Sequence, residues 1–121
     1  LVLGDERGPD FRERDQRTVR DLEAHARLQK PDLIVFDGDS WHDNPDGRGA
    51  KAMERFVERA AGLGVPWTFA WGNHDDLDDF QKGHDRLEKA RHSLYRGGAT
   101  HGDHRIEVAV RREGKETTAL E

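Results

Sequence analysis

The stretch VPWTFAWGNHDD, residues 65–76, decides how this chain is read. Its first half is apolar and aromatic, which is a strand signal. Its second half turns abruptly to Gly72-Asn73-His74-Asp75. Such a run is either a plain turn or the rim of a site. The upstream stretch PDLIVFDGDSWHD, residues 31–43, has the same design. Leu33, Ile34, Val35 and Phe36 form a continuous apolar run, as expected of a strand buried on both faces. Asp37-Gly38-Asp39 follows it directly.

Between the two stretches lies a helical pattern from about Ala50 to Gly62, with Met53, Phe56, Val57, Ala60 and Ala61 on one face. A strand–helix–strand unit of this kind makes two parallel strands by a right-handed crossover. Both polar clusters then emerge at the same sheet edge, the carboxyl end, where open α/β sheets bind ligands. Asp39 and Asn73 converge there although they are far apart in sequence. Either cluster alone is more often a turn than a site. Two of them, each directly after an apolar strand, reverse that balance. A carboxylate, an amide oxygen and imidazoles suit divalent ions such as Mn, Fe or Zn. Two ions set roughly 3.5–4 Å apart can clamp a phosphate and activate a water.

Working outward, Val19, Leu22 and Ala26 predict a helix from Asp15 to Lys30, stopped by Pro31. A third helix is expected from Asp76, with Leu77, Phe80, Leu87 and Leu94 inward and Gly83 weakening its middle. RIEVAVRR, residues 105–112, alternates as a half-exposed strand does, and REGKETTALE reads as a turn leading to another strand. The alternation of helices and strands gives an α/β class.

The chain has 121 residues, of which 37% are charged and 33% hydrophobic. The net charge of −5 counts against general nucleic-acid binding, which needs a basic footprint. The absence of cysteine excludes disulfides, thiolate ligands and a thiol nucleophile. No apolar run approaches the roughly 20 residues that span a bilayer. No signal peptide is visible in the segment, which leans slightly toward the cytoplasm without fixing a compartment. The opening on Leu1 and the polar close, TTALE, suggest one partial domain, 1–121, cut at its C-terminus and open at its N-terminus.

PDLIVFDGDSWHD and VPWTFAWGNHDD together resemble the second and third motifs of the calcineurin-like metallophosphoesterase superfamily. That superfamily includes purple acid phosphatases, protein phosphatases and DNA-repair nucleases. The wider spacing, including DQRT in the first helix, looks most like the branch near purple acid phosphatases. The resemblance covers about residues 15 to 110. It implies part of a four-layer α/β sandwich and a metal-dependent phosphatase, acting on a small-molecule phosphate ester or a phosphoprotein. Two metal ions (Mn, Fe or Zn) would be its cofactors. Asp39 would bridge both metals, and Asn73 would bind the second. His74 would donate a proton or hydrogen bond to the leaving oxygen, and Asp75 would orient His74. Water activated by the two metals would attack phosphorus.

The chain departs from the pattern in three places. The first motif is Asp-x-His or Asp-x-Gly; LVLGDERG offers Asp5 as a ligand but Arg7 where His is usual, and arginine cannot bind a metal. The tyrosine of purple acid phosphatases is replaced by His42, which is expected to line the substrate pocket with Asp43. The final histidine motifs have no match, since His101-Gly-Asp-His104 comes too early in the fold. The segment alone is therefore expected to be inactive, with further ligands beyond Glu121. The alternatives are a degenerate, non-catalytic binding module and a nuclease of the same superfamily. Trp41 is expected to anchor a loop, Trp67 and Trp71 to pack the sheet, and His25, His84 and His92 to lie on the surface of helices.

Overall fold

The first element, helix α1 (Pro9–Gln29), begins six residues before the expected Asp15. Pro9 explains the early start: its fixed φ suits the first helical position, where its missing N–H costs nothing. The charged run that follows is made largely of good helix formers. The computed structural model of the chain describes residues 9–112 and 115–120, with side chains over residues 12–111. Asp5 and Arg7 thus lie outside the described residues. Val19 and Ala26 of α1 are buried, as the apolar stripe requires.

The next elements are β1 (Ile34–Phe36), a single 3-10 turn (Pro45–Gly47), α2 (Gly49–Gly62) and β2 (Trp67–Phe69). Strands β1 and β2 pair in parallel, Ile34 with Trp67, Val35 with Thr68 and Phe36 with Phe69. The α/β class and the parallel strand–helix–strand core expected from the sequence are what the chain adopts. The outer edge of β2 is lined by the segment around Ser93, which pairs with Trp67. Trp67 N donates to His92 O at 3.0 Å, and Leu94 N donates to Trp67 O at 2.8 Å.

Met53, Phe56, Val57 and Ala60 of α2 are buried against the sheet. The core is mainly aromatic: Phe36 meets Phe56 edge-on at 5.0 Å and Trp41 stacks on Phe69 at 5.9 Å. Trp41, expected as a loop anchor, is fully buried. One expectation fails here. Strand β1 is not buried on both faces, because Val35 remains 59% exposed. Alternate side chains point to opposite faces, and among the described residues only the Phe36 face is packed by α2.

Helix α3 (Phe80–Lys89) starts four residues later than expected. Asp79 is the reason: its side chain accepts Lys82 N at 3.1 Å and caps the helix. The acidic residues before it form a loop, in which Asn44 Nδ2 donates to Asp78 Oδ1 at 2.8 Å. Leu77 and Leu87 are buried as expected, whereas Phe80 and Leu94 are exposed. Gly83 does not weaken α3 but permits its docking. A Cβ there would press on Leu77 and on the Trp71 ring. Arg86 of α3 forks onto the Glu54 carboxylate of α2, at 2.7 and 2.6 Å. Strands β3 (Val108–Arg112) and β4 (Lys115–Leu120) form an antiparallel hairpin. Among the described residues no helix is long and apolar enough to cross a membrane.

Candidate metal centre

Past Phe36 the chain must turn at once, and Gly38 (φ +93°) and Asp39 (φ +51°) both take left-handed backbone angles to do so. Glycine does this freely and aspartate tolerates it. The turn runs hard against the exit of β2. A Cβ on Gly38 would lie 2.7 Å from Gly72 N, and one on Gly72 would overlap the Asp39 carboxylate. Both glycines are therefore required by close backbone approach.

This approach sets Asp39 beside both neighbours of Asn73. Gly72 touches the Asp39 carboxylate, and His74 N donates to Asp39 Oδ1 at 3.0 Å. The single crossover thus brings the two sequence clusters together. Asp39 Oδ2 and the Asn73 amide have no hydrogen-bond partner among the described residues, and Asn73 is exposed.

Asp75 occupies a different place from the one expected. It is 2% exposed, and its two oxygens accept four backbone N–H groups. Oδ2 receives Asp39 N and Gly72 N, both at 2.8 Å. Oδ1 receives Ser40 N at 2.7 Å and Trp41 N at 3.2 Å. Burial pushes the Asp75 carboxyl above its ordinary value, against the pull of these four bonds. The carboxylate that bonds the His74 ring is Asp43, with Asp43 Oδ1 2.9 Å from His74 Nδ1. A carboxylate only accepts, so His74 donates Nδ1–H, and its other ring nitrogen has no hydrogen-bond partner among the described residues. That hydrogen bond to Asp43 is the main cause that raises the His74 pKa, with further help from the charges of Asp43, Asp39 and Asp75. The pair is fastened from the backbone side too, since Asp43 N donates to His74 O at 2.8 Å.

His42 lies against this pair, its ring centroid 4.7 Å from that of His74. His42, Asp43 and His74 each offer a ligand atom, all within 4.8 Å of one another. His101 and His104 part company: His104 Nε2 is 2.6 Å from Thr68 Oγ1 and its Nδ1 is 3.0 Å from Gly102 O, while His101 is exposed.

A cleft of about 470 Å³ is bordered by Asp43, Asn73 and Asp75 and by Trp71, Phe80, His84 and His101. His84 contradicts its expected surface position, with only 7% exposure. It lies three residues before Leu87 on the buried stripe of α3, and that spacing was the available signal. His92 lies outside α3, whereas His25 is exposed on α1 as expected.

A family model described as calcineurin-like phosphoesterase matches residues 2–109. Two Arabidopsis thaliana proteins are similar over about half of the chain. One, named "Probable inactive purple acid phosphatase 14", is 35% identical over 56% of this chain and 17% of its own length. The other, named "Probable inactive purple acid phosphatase 28", is 33% identical over 50% of this chain and 15% of its own length. A Saccharomyces cerevisiae protein named "Phosphatase DCR2" is 30% identical over 51% of this chain and 11% of its own length. The chain thus spans well under a quarter of each of these relatives. No solved structure matches significantly. The family match covers most of the chain, including both strand-exit clusters, and the chain belongs to the calcineurin-like phosphoesterase family.

Proposed function

We propose that the protein containing this chain is a phosphatase that hydrolyses phosphate esters, of a small molecule or a phosphoprotein, with two metal ions as cofactors. One observation carries the reading. Asp39, with one unpartnered carboxylate oxygen, abuts the loop that presents the His74–Asp43 pair, at the carboxyl ends of two parallel strands.

The family works with paired metal ions, and the donors present fit such ions. Asp39 Oδ2 and the Asn73 amide oxygen are hard, unpartnered ligands at one sheet edge. Asp39 and Asn73 would hold the metals, with Asp5 as a further ligand. Bound ions of this kind supply Lewis acidity toward phosphoryl oxygens and make water more acidic. Mn, Fe and Zn all suit this donor set.

The chain's own residues do the rest. Asp75 pins the Asp39 and Gly72 backbones and so fixes where the Asp39 carboxylate stands. Asp43 orients the His74 ring and favours its protonated form, so that Nε2–H can pass a proton to the leaving alcohol oxygen. His42, expected in the pocket, packs on His74 but is not among the residues that border the cleft, so it would meet the substrate phosphate only from the His74 side.

A second reading, a site that binds metal and phosphate without turnover, draws support from Arg7 in the first motif and from the printed names of two relatives. Metal-stripped protein, assayed on p-nitrophenyl phosphate before and after Mn is restored, separates the two. Metal-dependent phosphate release supports the phosphatase. Binding of vanadate with no turnover under any of the three metals overturns it in favour of the binding module. A diester and single-stranded DNA in the same assay test the nuclease alternative.

A further inference from the structure

Part of the cleft lining is not used by the phosphoryl chemistry. Trp71 is half-buried there, held from behind by Phe69 at 5.2 Å and Trp41 at 5.8 Å. Its indole N–H is already spent on Tyr95 OH at 2.8 Å. What Trp71 can still offer a ligand is therefore an apolar ring surface. Phe80 adds another, 44% exposed with its ring 5.4 Å from that of Trp71. A half-buried ring and an exposed one meeting in a concave site are the usual lining for an apolar ligand group.

His84 supplies one polar atom to this wall. Tyr95 is fully buried, and its hydroxyl oxygen lies 2.7 Å from His84 Nδ1. Trp71 already donates to that oxygen. If His84 donated as well, the hydroxyl hydrogen would be buried with no acceptor, since Tyr95 has no other partner among the described residues. Tyr95 therefore donates to His84 Nδ1, and the ring proton of His84 sits on Nε2. Burial favours the same neutral form. Nε2–H has no partner among the described residues, on a side chain more than nine-tenths buried that borders the cleft. The His84 ring meets the Trp71 ring edge-to-face at 5.2 Å, but no hydrogen-bond acceptor among the described residues takes this N–H, and a ligand acceptor would satisfy it.

We infer that Trp71, Phe80, His84 and His101 form a subsite for an aromatic group carrying a hydrogen-bond acceptor, and that this group is the alcohol part of the phosphate ester. The subsite stands on the cleft alone; its link to the ester rests on the phosphatase reading. Phe80 and Trp71 take the ring, His84 Nε2–H meets the acceptor, and His101 closes the open side. Asn73 and Asp43, which border the same cleft, then face the phosphate.

The test is a titration of the protein, followed by the ¹⁵N NMR signals of His84 Nε2 and Trp71 Nε1, with acetophenone and with toluene, which lacks the carbonyl. Acetophenone should shift both signals saturably and bind about fivefold more tightly than toluene, the weight of one neutral hydrogen bond. Equal binding of the two, or no shift at Trp71, overturns the subsite. The wild-type comparison needs no variant; His84→Phe, if it folds, should remove the difference. Methylphosphonate with Mn is the separate arm for the phosphate end. If it binds and acetophenone does not, the subsite falls while the phosphatase reading stands. If acetophenone binds and methylphosphonate does not, the subsite stands and the ester link falls. If both bind, 4-acetylphenylphosphonate should bind at least tenfold more tightly than either; no gain overturns the link.

Discussion

The Asp75 carboxylate stands 2.8 Å from the backbone nitrogens of both Asp39 and Gly72, so one buried side chain ties together the exits of the two parallel strands. Replacing Asp75 by Asn turns one acceptor oxygen into an NH₂ group facing backbone donors. Asp75→Asn should cost about 3 kcal/mol, given that hydrogen bonds to a charged group weigh more than neutral ones and buried donors are left unmatched. Urea denaturation measures this. A cost near zero would show that the carboxylate is not the fastener described.

Gly72 is tested by its smallest substitution. In Gly72→Ala the new methyl overlaps the Asp39 carboxylate and backbone. Overpacking against backbone should destabilise the fold by about 2–3 kcal/mol and displace Asp39. Thermal melting and Mn binding should both fall; a fully stable variant with normal Mn binding would contradict the contact.

Asp43 is tested through the leaving group. Asp43→Asn removes the charge that favours protonated His74. Turnover of an alkyl phosphate, whose alkoxide needs a proton, should fall about 100-fold. Turnover of p-nitrophenyl phosphate should fall much less, because nitrophenolate leaves unaided. Equal losses on both substrates would deny His74 the role of proton donor.

His84 makes a prediction about acid stability. Burial lowers its folded pKa below the ordinary 6.5; Glu88 and Asp85 favour the charged form and His101 opposes it. Below pH 6.5 the unfolded chain takes up a proton that the folded chain resists. The contribution is thus complete above 6.5 and is lost as pH falls from there toward the lower folded value. Denaturation midpoints measured from about pH 8 to about pH 5 should drop for wild type, and drop less for His84→Phe.

How much of this was legible in the sequence depended on whether the pattern was local. The parallel pair followed from two apolar runs separated by one helix, and the meeting of Asp39 with the Asn73 loop followed from the crossover. The partner of His74 did not. Asp75 is its sequence neighbour, but the left-handed turn at Asp39 presents backbone N–H groups that capture Asp75 and leave the ring to Asp43. The start of α3 was misplaced because its acidic approach, residues 76–79, suits a helix N-terminus and a capped loop equally well. Val35 was misjudged because an apolar run reveals hydrophobicity, not which face a neighbour covers. His84 was missed because helical histidines are usually exposed, and its partner Tyr95 lies beyond α3.

The most direct test is the metal content of Asp39→Asn. Asparagine tolerates the left-handed angle at this position and keeps an oxygen for His74 N, so the fold should persist, as circular dichroism would show. A neutral amide would hold such ions less tightly than a carboxylate. Bound Mn, measured by elemental analysis after dialysis, should fall at least about tenfold. An unaltered Mn content in a folded Asp39→Asn protein would contradict a metal centre built on Asp39.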